Sequence, residues 1–534
     1  MLLPAVAVRA QVSQGPGVIE RTIPQRPPEI ARPAPIMIVP PIPISPSQAI
    51  SGRFVLGAVS IEGATIFSQE TLAKAFEPYL ATEIDETTLK LIAKRITERY
   101  RAAGYLLSFA FVPRQEVRAG IVRIVVVEGR VGSVVIEGAG RDRPAIYASA
   151  HRLLNGRPLK LSALERTLGL IRDLPNFVVT DASLAPTNDP AIHRLRLVVG
   201  HDRVRQLLYA DNRGPQGSDR TRLYSSTSVT SALIAGDELR LELFAIPTER
   251  YRYLYGLIAA SLPIGHGGLR LGLSGSHGTL KQRRDGARID GGSSNVSAQL
   301  SYPIVHSRAW RLAARGVISD LSNDTSQNAI RIERDRLRVV RGGVDFAIDG
   351  QTRISGEAIL SRGIGFGGAT RAGDALASRP GAGGRFTKAA LNLQMAHRFS
   401  QRFAVSATIA AQVADRRLLV VEQFALGGNR LGRAYDYNAL TGDIGLAGGV
   451  ELAYRLRDPR RNPRPIELFA FSDGGVVGQV DCKQRGCRRG LASVGVGSRL
   501  VVGGVAFAGE MAVPLVSNGN GRPIRGFFAI SRTF

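Results

Sequence analysis

The residues best suited to chemistry lie between Leu426 and Asp443, in the stretch LGGNRLGRAYDYNALTGD. These eighteen residues include four glycines, two arginines, two aspartates and two tyrosines. Arginines on a glycine-rich loop suit three kinds of site: a catalytic loop, a cradle for phosphate groups, and a plug that folds into a barrel. The elements around the stretch decide between these three.

The other reactive side chains do not form a catalytic or metal-binding pattern. The seven histidines show no spacing typical of metal ligands, and no serine or cysteine stands in a pattern with a base. Gly363, Gly365 and Gly367 lack the strand and helix that flank a dinucleotide-binding loop. The sequence therefore predicts a protein that is not an enzyme and holds no cofactor or metal.

The charge balance points to a polar channel or an anionic surface. Lysine and arginine number 70 against 44 aspartates and glutamates, a formal net charge of +26. Nucleic-acid binding is not predicted, because the arginines are spread along alternating segments and no recognition motif accompanies them. A cationic lumen, or a surface that faces anionic lipid, accounts for the charge. No run of 18 apolar residues occurs, so membrane-spanning helices are excluded.

The N-terminal region contains two segments outside any predicted domain. Residues 1–10 end in Val8-Arg9-Ala10, a pattern typical of signal-peptide cleavage, although a basic start and a longer apolar run are missing. We interpret them as a signal-peptide remnant; an ordinary disordered terminus is the alternative. Residues 11–51 contain ten prolines and form a Pro-rich extension or linker. This density predicts an extended spacer without helix or strand.

Two small α+β modules follow, at residues 54–130 and 131–201. Each has the order strand, helix, helix, strand, strand. In the first module, Ser68 and Asp85 are predicted to cap the two helices, and apolar residues at spacings of three and four give the second helix one buried face.

Residues 202–534 alternate apolar and polar side chains without predicted helices. About sixteen segments of roughly ten residues fit strands that cross a bilayer at a tilt. One face carries polar residues on almost every strand, as a watery lumen requires, and backbone groups in lipid require a closed sheet. The sequence therefore predicts a 16-stranded transmembrane β-barrel. Four aromatic residues are expected in a girdle at the membrane surface: Tyr251, Tyr253, Tyr302 and Trp310.

Three stretches together resemble the outer-membrane transporters of two-partner secretion, the haemolysin secretion/activation family. The stretch that begins FVLGAVSIEG at Phe54 resembles the family's first polypeptide-transport-associated (POTRA) module, and members have two such modules. Gly432-Arg433-Ala434-Tyr435 lies where the family has its sixth-loop motif, normally Val-Arg-Gly followed by Phe or Tyr. The residues Phe471, Asp473 and Gly475 resemble the companion strand motif.

The resemblance implies a loop that folds into the lumen, where Arg433 pairs with Asp473, expected as a bidentate contact. Ala434 replaces the usual glycine, which puts the geometry of the loop tip in question but not the ion pair. The implied protein lies in the outer membrane of a Gram-negative cell with its POTRA modules in the periplasm. Its implied partners are one cognate secreted exoprotein, outer-membrane lipid or lipopolysaccharide, and the barrel-assembly machinery that inserts it.

Two other functions remain open. An outer-membrane assembly insertase of the same superfamily is the main alternative, although two POTRA modules and the Pro-rich extension argue against it. A passive cationic porin is disfavoured, because porins lack tandem periplasmic modules.

The two cysteines, Cys482 and Cys487, fall between the thirteenth and fourteenth predicted strands. Two thiols alone rarely hold a metal, so in an oxidising exterior we expect a disulfide that closes a short loop, the seventh extracellular loop if both barrel termini are periplasmic.

Overall fold

A computed structural model describes residues 15–24, 36–38, 52–138, 140–215, 218, 220–284, 286–458, 462–482, 487–516 and 523–534. The chain divides into two compact units. One consists mainly of residues 203–534 together with the N-terminal segment up to residue 28, and the other mainly of residues 29–202. Among the helices of the described residues, none is both long and apolar enough to cross a membrane. The predicted signal-peptide remnant, residues 1–10, lies outside the described residues.

The Pro-rich extension contains a helix and a strand, so the expectation of a uniformly extended spacer was wrong. Helix α1 (Pro16–Glu20) begins with proline in its first turn, where the missing N–H costs nothing. Strand β1 (Ile36–Ile38) lies between prolines and pairs along one edge of a sheet, a position that proline-flanked segments tolerate.

The first α+β module has the predicted order of strand, helix, helix, strand and strand, with two further strands of two residues each. Its elements are β2 (Phe54–Val55), β3 (Ala58–Glu62), α2 (Gln69–Ala73), β4 (Glu83–Ile84), α3 (Glu86–Ala102), β5 (Phe109–Phe111) and β6 (Ile121–Val127). Side chains of Ser68 and Asp85 accept hydrogen bonds from the backbone at the starts of α2 and α3. The apolar face of α3 is buried against a sheet with strand order β3-β6-β5.

The second module repeats this plan with a larger sheet. Its elements are β7 (Arg130–Gly138), α4 (Arg143–Ala150), α5 (Leu161–Arg172), β8 (Phe177–Pro186) and β9 (Ile192–His201). The strand order is β1-β8-β9-β7, and β1 of the extension runs parallel to β8. The chain's own extension therefore covers the β8 edge of this sheet.

The remaining residues form a closed barrel of sixteen antiparallel strands, which confirms the predicted fold. The barrel strands are β10 (Val204–Asp211), β11 (Arg222–Thr230), β12 (Glu238–Pro247), β13 (Tyr251–Ile264), β14 (Leu269–Arg284), β15 (Ala287–His306), β16 (Trp310–Gln327), β17 (Ile330–Ile348), β18 (Thr352–Gly363), β19 (Thr387–Arg398), β20 (Phe403–Ala414), β23 (Ile444–Asp458), β24 (Asn462–Gly478), β25 (Arg488–Val502), β26 (Val505–Pro514) and β27 (Arg525–Thr533). A short hairpin, β21 (Phe424–Leu426) with β22 (Leu440–Gly442), lies within the connection from β20 to β23. The last strand pairs with the first, so the ring closes without an open edge.

The faces of β13 are the reverse of the expected assignment. Tyr251 and Tyr253 were expected in an outer girdle, but both are 0% exposed and pack inside the barrel with Ile19 of α1. The outward face of β13 instead carries Leu254 and Ile258, which are 47% and 70% exposed. The other two proposed girdle residues, Tyr302 and Trp310, are exposed.

Candidate functional site

The arginine-bearing stretch lies in the connection between the eleventh and twelfth barrel strands, β20 and β23. The hairpin of β21 and β22 brings the two ends of the stretch together, and the tip between them folds back onto inward-facing side chains of β23, β24 and β25. Gly432 has a φ of 78°, a backbone conformation that favours glycine over the valine usual in the motif. Ala434 and Tyr435 beside it are buried.

Arg433 lies among three carboxylates and an aromatic ring, and the most distant carboxylate oxygen, Oε2 of Glu510, is 4.0 Å from its Nη1. Its Nη1 donates a hydrogen bond to Oε2 of Glu451 at 2.8 Å. Its Nε lies 3.3 Å from Oδ2 of Asp473, an ion pair whose geometry makes no hydrogen bond. The guanidinium carbon lies 4.1 Å from the ring centre of Phe471, a cation–π distance. The contact with Asp473 is therefore not the bidentate pair that we expected.

Asp473 mainly holds the backbone of the loop tip. Its Oδ1 accepts hydrogen bonds from the backbone N–H groups of Gly432 at 2.8 Å and Arg433 at 3.2 Å. The hydroxyl of Ser493 donates to the same oxygen. With 5% of its surface exposed, Asp473 fixes the tip through charge-assisted hydrogen bonds in a setting that largely excludes water.

Glu451 is a site residue that the sequence analysis missed. It bridges Arg433 of the loop to Arg499 of β25, whose Nη1 and Nη2 donate to its two oxygens at 2.6 and 2.9 Å. In the barrel, Glu451 lies directly across from Phe471, so it belongs to the same inward-facing row as the strand motif. Only the pairing register of β23 with β24 reveals that neighbour, and no sequence motif marks it.

The remaining motif residues pack the loop against the wall. The hydroxyl of Tyr435 donates to the carbonyl oxygen of Val516 at 2.7 Å and lies 3.1 Å from the carbonyl oxygen of Ala492. A Cβ at Gly475 would lie 2.6 Å from Cβ of Ala447, so glycine permits the close approach of β23 and β24 here.

Helix α1 lies inside the barrel on the same inward-facing surface. Val18 and Ile19 are buried. The hydroxyl of Tyr253 donates to the carbonyl of Pro16 at 3.3 Å, and the backbone N–H of Gly17 donates to Oδ1 of Asn323 at 3.1 Å. These partners lie on β13 and β16, so the helix contacts widely separated parts of the wall.

One buried arginine contacts both the helix segment and the loop. Arg222 of β11 is 1% exposed, and its Nη1 donates to the carbonyl of Thr22 at 2.9 Å. Its Nη2 donates to the hydroxyl of Tyr437 in the loop at 3.0 Å. The loop also contacts α1 directly: Nδ2 of Asn438 donates a hydrogen bond to the carbonyl oxygen of Val18 at 3.4 Å. The two elements inside the barrel are therefore joined to each other as well as to the wall.

The cysteines are close in space. Sγ of Cys482 is bonded to Sγ of Cys487 in the connection from β24 to β25. The residues between 482 and 487 lie outside the described part of the chain.

Two family models match the chain. A POTRA domain of the ShlB type matches residues 54–129, and the haemolysin secretion/activation protein ShlB/FhaC/HecB matches residues 196–500, more than half of the chain. The chain belongs to the haemolysin secretion/activation family. Transporters of this family carry a partner protein across the outer membrane, with the barrel in that membrane and the POTRA modules in the periplasm.

Individual relatives agree with this assignment over most of the chain. The heme/hemopexin transporter protein HuxB of Haemophilus influenzae is 23% identical over 478 residues, which cover 84% of this chain and 81% of HuxB. The solved structure of CdiB from Escherichia coli matches with a TM-score of 0.77 at 19% identity, over 93% of this chain and 94% of CdiB. CdiB from Acinetobacter baumannii matches with a TM-score of 0.68 at 17% identity, over the same shares of the two chains.

Proposed function

We propose that the two POTRA modules bind the N-terminal secretion domain of one cognate exoprotein while that protein is unfolded, and that the barrel then conducts it outward. The observation that carries the proposal is a closed barrel whose inner wall holds two separate elements, α1 and the arginine-bearing loop, joined to tandem α+β modules. A chain can pass only when these elements move. Their contacts combine hydrogen bonds with buried apolar side chains such as Ile19 and Ala434, so the passing chain must replace both kinds of contact to displace them.

Strand addition is the binding mode that these modules support. A sheet edge presents unpaired N–H and C=O groups, and an unfolded chain can pair with them whatever its sequence. In the first module β3 and β5 each pair with β6 alone among the described residues, so each has an edge without a described neighbour in that sheet. In the second module the β8 edge is already paired with β1, so among the described residues β7 provides one edge without a neighbour in that sheet, against two such edges in the first module. We therefore place initial recognition on the first module.

The driving force in this proposal is folding of the exoprotein outside the cell. The sequence contains no nucleotide-binding loop in the required context. We also propose outer-membrane lipid and the barrel-assembly machinery as partners, since a barrel that closes its last strand onto its first must be inserted into lipid as a ring.

Deleting the gene tests the function. We expect one protein to accumulate in the periplasm and to disappear from the culture medium, while the other outer-membrane proteins keep their normal levels. A plasmid copy of the wild-type gene should restore secretion. A broad loss of outer-membrane proteins would contradict the proposal and favour the insertase.

The carboxyl group of Glu20 makes the docking of α1 sensitive to pH. Burial raises its pKa above the ordinary value, and hydrogen bonds from Ser293 and Tyr253 lower it in part. Because the docked carboxyl has the higher pKa, docking is favoured at acidic pH and weakens as the pH rises through that raised value. We expect Glu20→Gln to keep α1 docked at neutral pH, since an amide has no charge to desolvate, and to shorten the open time of the channel several-fold.

Single-channel recording in planar bilayers measures this effect. The wild-type channel should open more often at neutral than at acidic pH, and Glu20→Gln should lose most of that difference. Glu249→Gln, which neutralises an exposed carboxylate in the turn before β13, is the matched control and should behave as the wild type. More frequent opening of Glu20→Gln at neutral pH would contradict the expected role of the carboxylate.

A further inference from the structure

A group of cations lies on the outside of the barrel where β13, β14 and β15 reach its extracellular end. Because the POTRA modules are periplasmic, the turn between β12 and β13 and the turn between β14 and β15 are both extracellular. Arg252 lies on the outward face of β13, as the burial of Tyr251 and Tyr253 on the opposite face shows. Lys281 and Arg283 lie on the outward face of β14. All three side chains are exposed.

The pairing register places like charges side by side. Arg252 lies directly opposite Lys281, and Arg283 lies directly opposite Arg288 of β15. The backbone N–H of Arg283 also donates to the carbonyl oxygen of Arg250, so the turn before β13 lies beside Arg283. Directly opposed like charges on neighbouring strands destabilise a sheet. A counter-charge beside these cations would offset the repulsion.

The described residues supply little of that counter-charge. Asp290 lies beside Lys281 but is engaged by Nε of Arg288 at 2.7 Å. Another outward-facing arginine shows the contrast: Arg338 of β17 has its own carboxylate, with Nε 2.9 Å from Oδ2 of Asp320.

The apolar surface below the cations identifies the missing partner. Leu254 lies two residues after Arg252 on β13, which corresponds to about 7 Å along the strand. Leu254 and Ile258 belong to the outward apolar face of this strand. Lipid acyl chains contact such a face, so the cations lie at the depth of lipid headgroups. We propose that Arg252, Lys281 and Arg283 form a binding site for the phosphate groups of an anionic glycolipid in the outer leaflet. This site is separate from the path of the exported protein.

Retention of lipid A by the purified full-length protein tests the site. Native mass spectrometry in detergent would compare lipid A carrying both phosphates with the same lipid after dephosphorylation. We expect wild type to retain the phosphorylated form and to bind the dephosphorylated form at least about tenfold more weakly, because several basic groups near one anionic headgroup add their attractions. If the wild-type protein retained phosphorylated and dephosphorylated lipid A equally, the proposal would be wrong, and no variant would be needed to show it.

Variants locate the site. Arg252→Gln, Lys281→Gln and Arg283→Gln combined should lower retention of phosphorylated lipid A by about tenfold or more. Arg252→Lys with Arg283→Lys, which keeps the charge, should retain it. The control, Arg398→Gln with Arg402→Gln, removes two exposed cations from the periplasmic side of β19 and β20 and should bind as the wild type. Unchanged retention in the triple variant, or an equal loss in the control, would show that the lipid binds elsewhere.

Discussion

Replacing Asp473 with alanine is expected to reduce export of the partner protein at least about tenfold while the barrel still assembles. Alanine leaves the backbone N–H groups of Gly432 and Arg433 without an acceptor in a buried setting. Each such group costs roughly 1–3 kcal/mol, and each 1.4 kcal/mol is about a tenfold change in an equilibrium. The loop tip should therefore lose the fixed docked position from which we expect the exported chain to displace it in an ordered step, and export should fall.

The effect is measured as the ratio of secreted to cell-retained partner protein, and heat-modifiable migration in gels shows whether the barrel has assembled. Asp473→Asn is the matched control, because an amide keeps an acceptor oxygen but removes the charge; we expect an intermediate loss. Arg433→Ala should resemble Asp473→Ala, and the double variant should be less than additive, since both changes release the same tip. Strictly additive losses would show that the two side chains act independently.

Removing residues 54–201 is expected to abolish export while the barrel still inserts and conducts ions. The barrel closes through hydrogen bonds among its own strands, and the α+β modules have apolar cores formed by their own described residues. Loss of the modules removes the sheet edges proposed to bind the exoprotein. Export and single-channel conductance, measured on the same variant, separate recognition from barrel integrity.

A binding assay makes this prediction more specific. An isolated fragment of residues 54–201 should bind the exoprotein's N-terminal secretion domain, and an excess of it should compete with the full-length protein. If the fragment did not bind the secretion domain while the full-length protein did, recognition would lie in the barrel instead.

The barrel was predictable because strand side chains alternate between two faces, so a period of two is visible along the chain. Which face pointed inward was not predictable at β13. A lumen normally carries polar residues, but here Ile19 of α1 lies inside, and Tyr251 and Tyr253 pack against it. The apolar content of a lumen thus depends on what fills it, and that partner lies more than 200 residues away in the sequence.

The site was predictable only in part, for a related reason. Arg433 and Asp473 stand in stretches that resemble family motifs. Glu451, which binds Arg433 at the shorter distance, stands in an ordinary alternating strand and is brought there by the register of β23. The helix at Pro16 was missed because the prediction used the average proline content of residues 11–51. A short helix can still form where a single proline lies in its first turn, as Pro16 does.

The contacts of Arg222 with Thr22 and Tyr437, together with the contact of Asn438 with Val18, have a thermodynamic consequence. The docked loop stabilises the docked helix by a certain free energy. Because such coupling is reciprocal, the docked helix stabilises the docked loop by the same free energy. Departure of either element therefore raises the probability that the other departs. An exoprotein that displaces only one of them lowers the cost of displacing the second, so the barrel should open cooperatively rather than by independent steps.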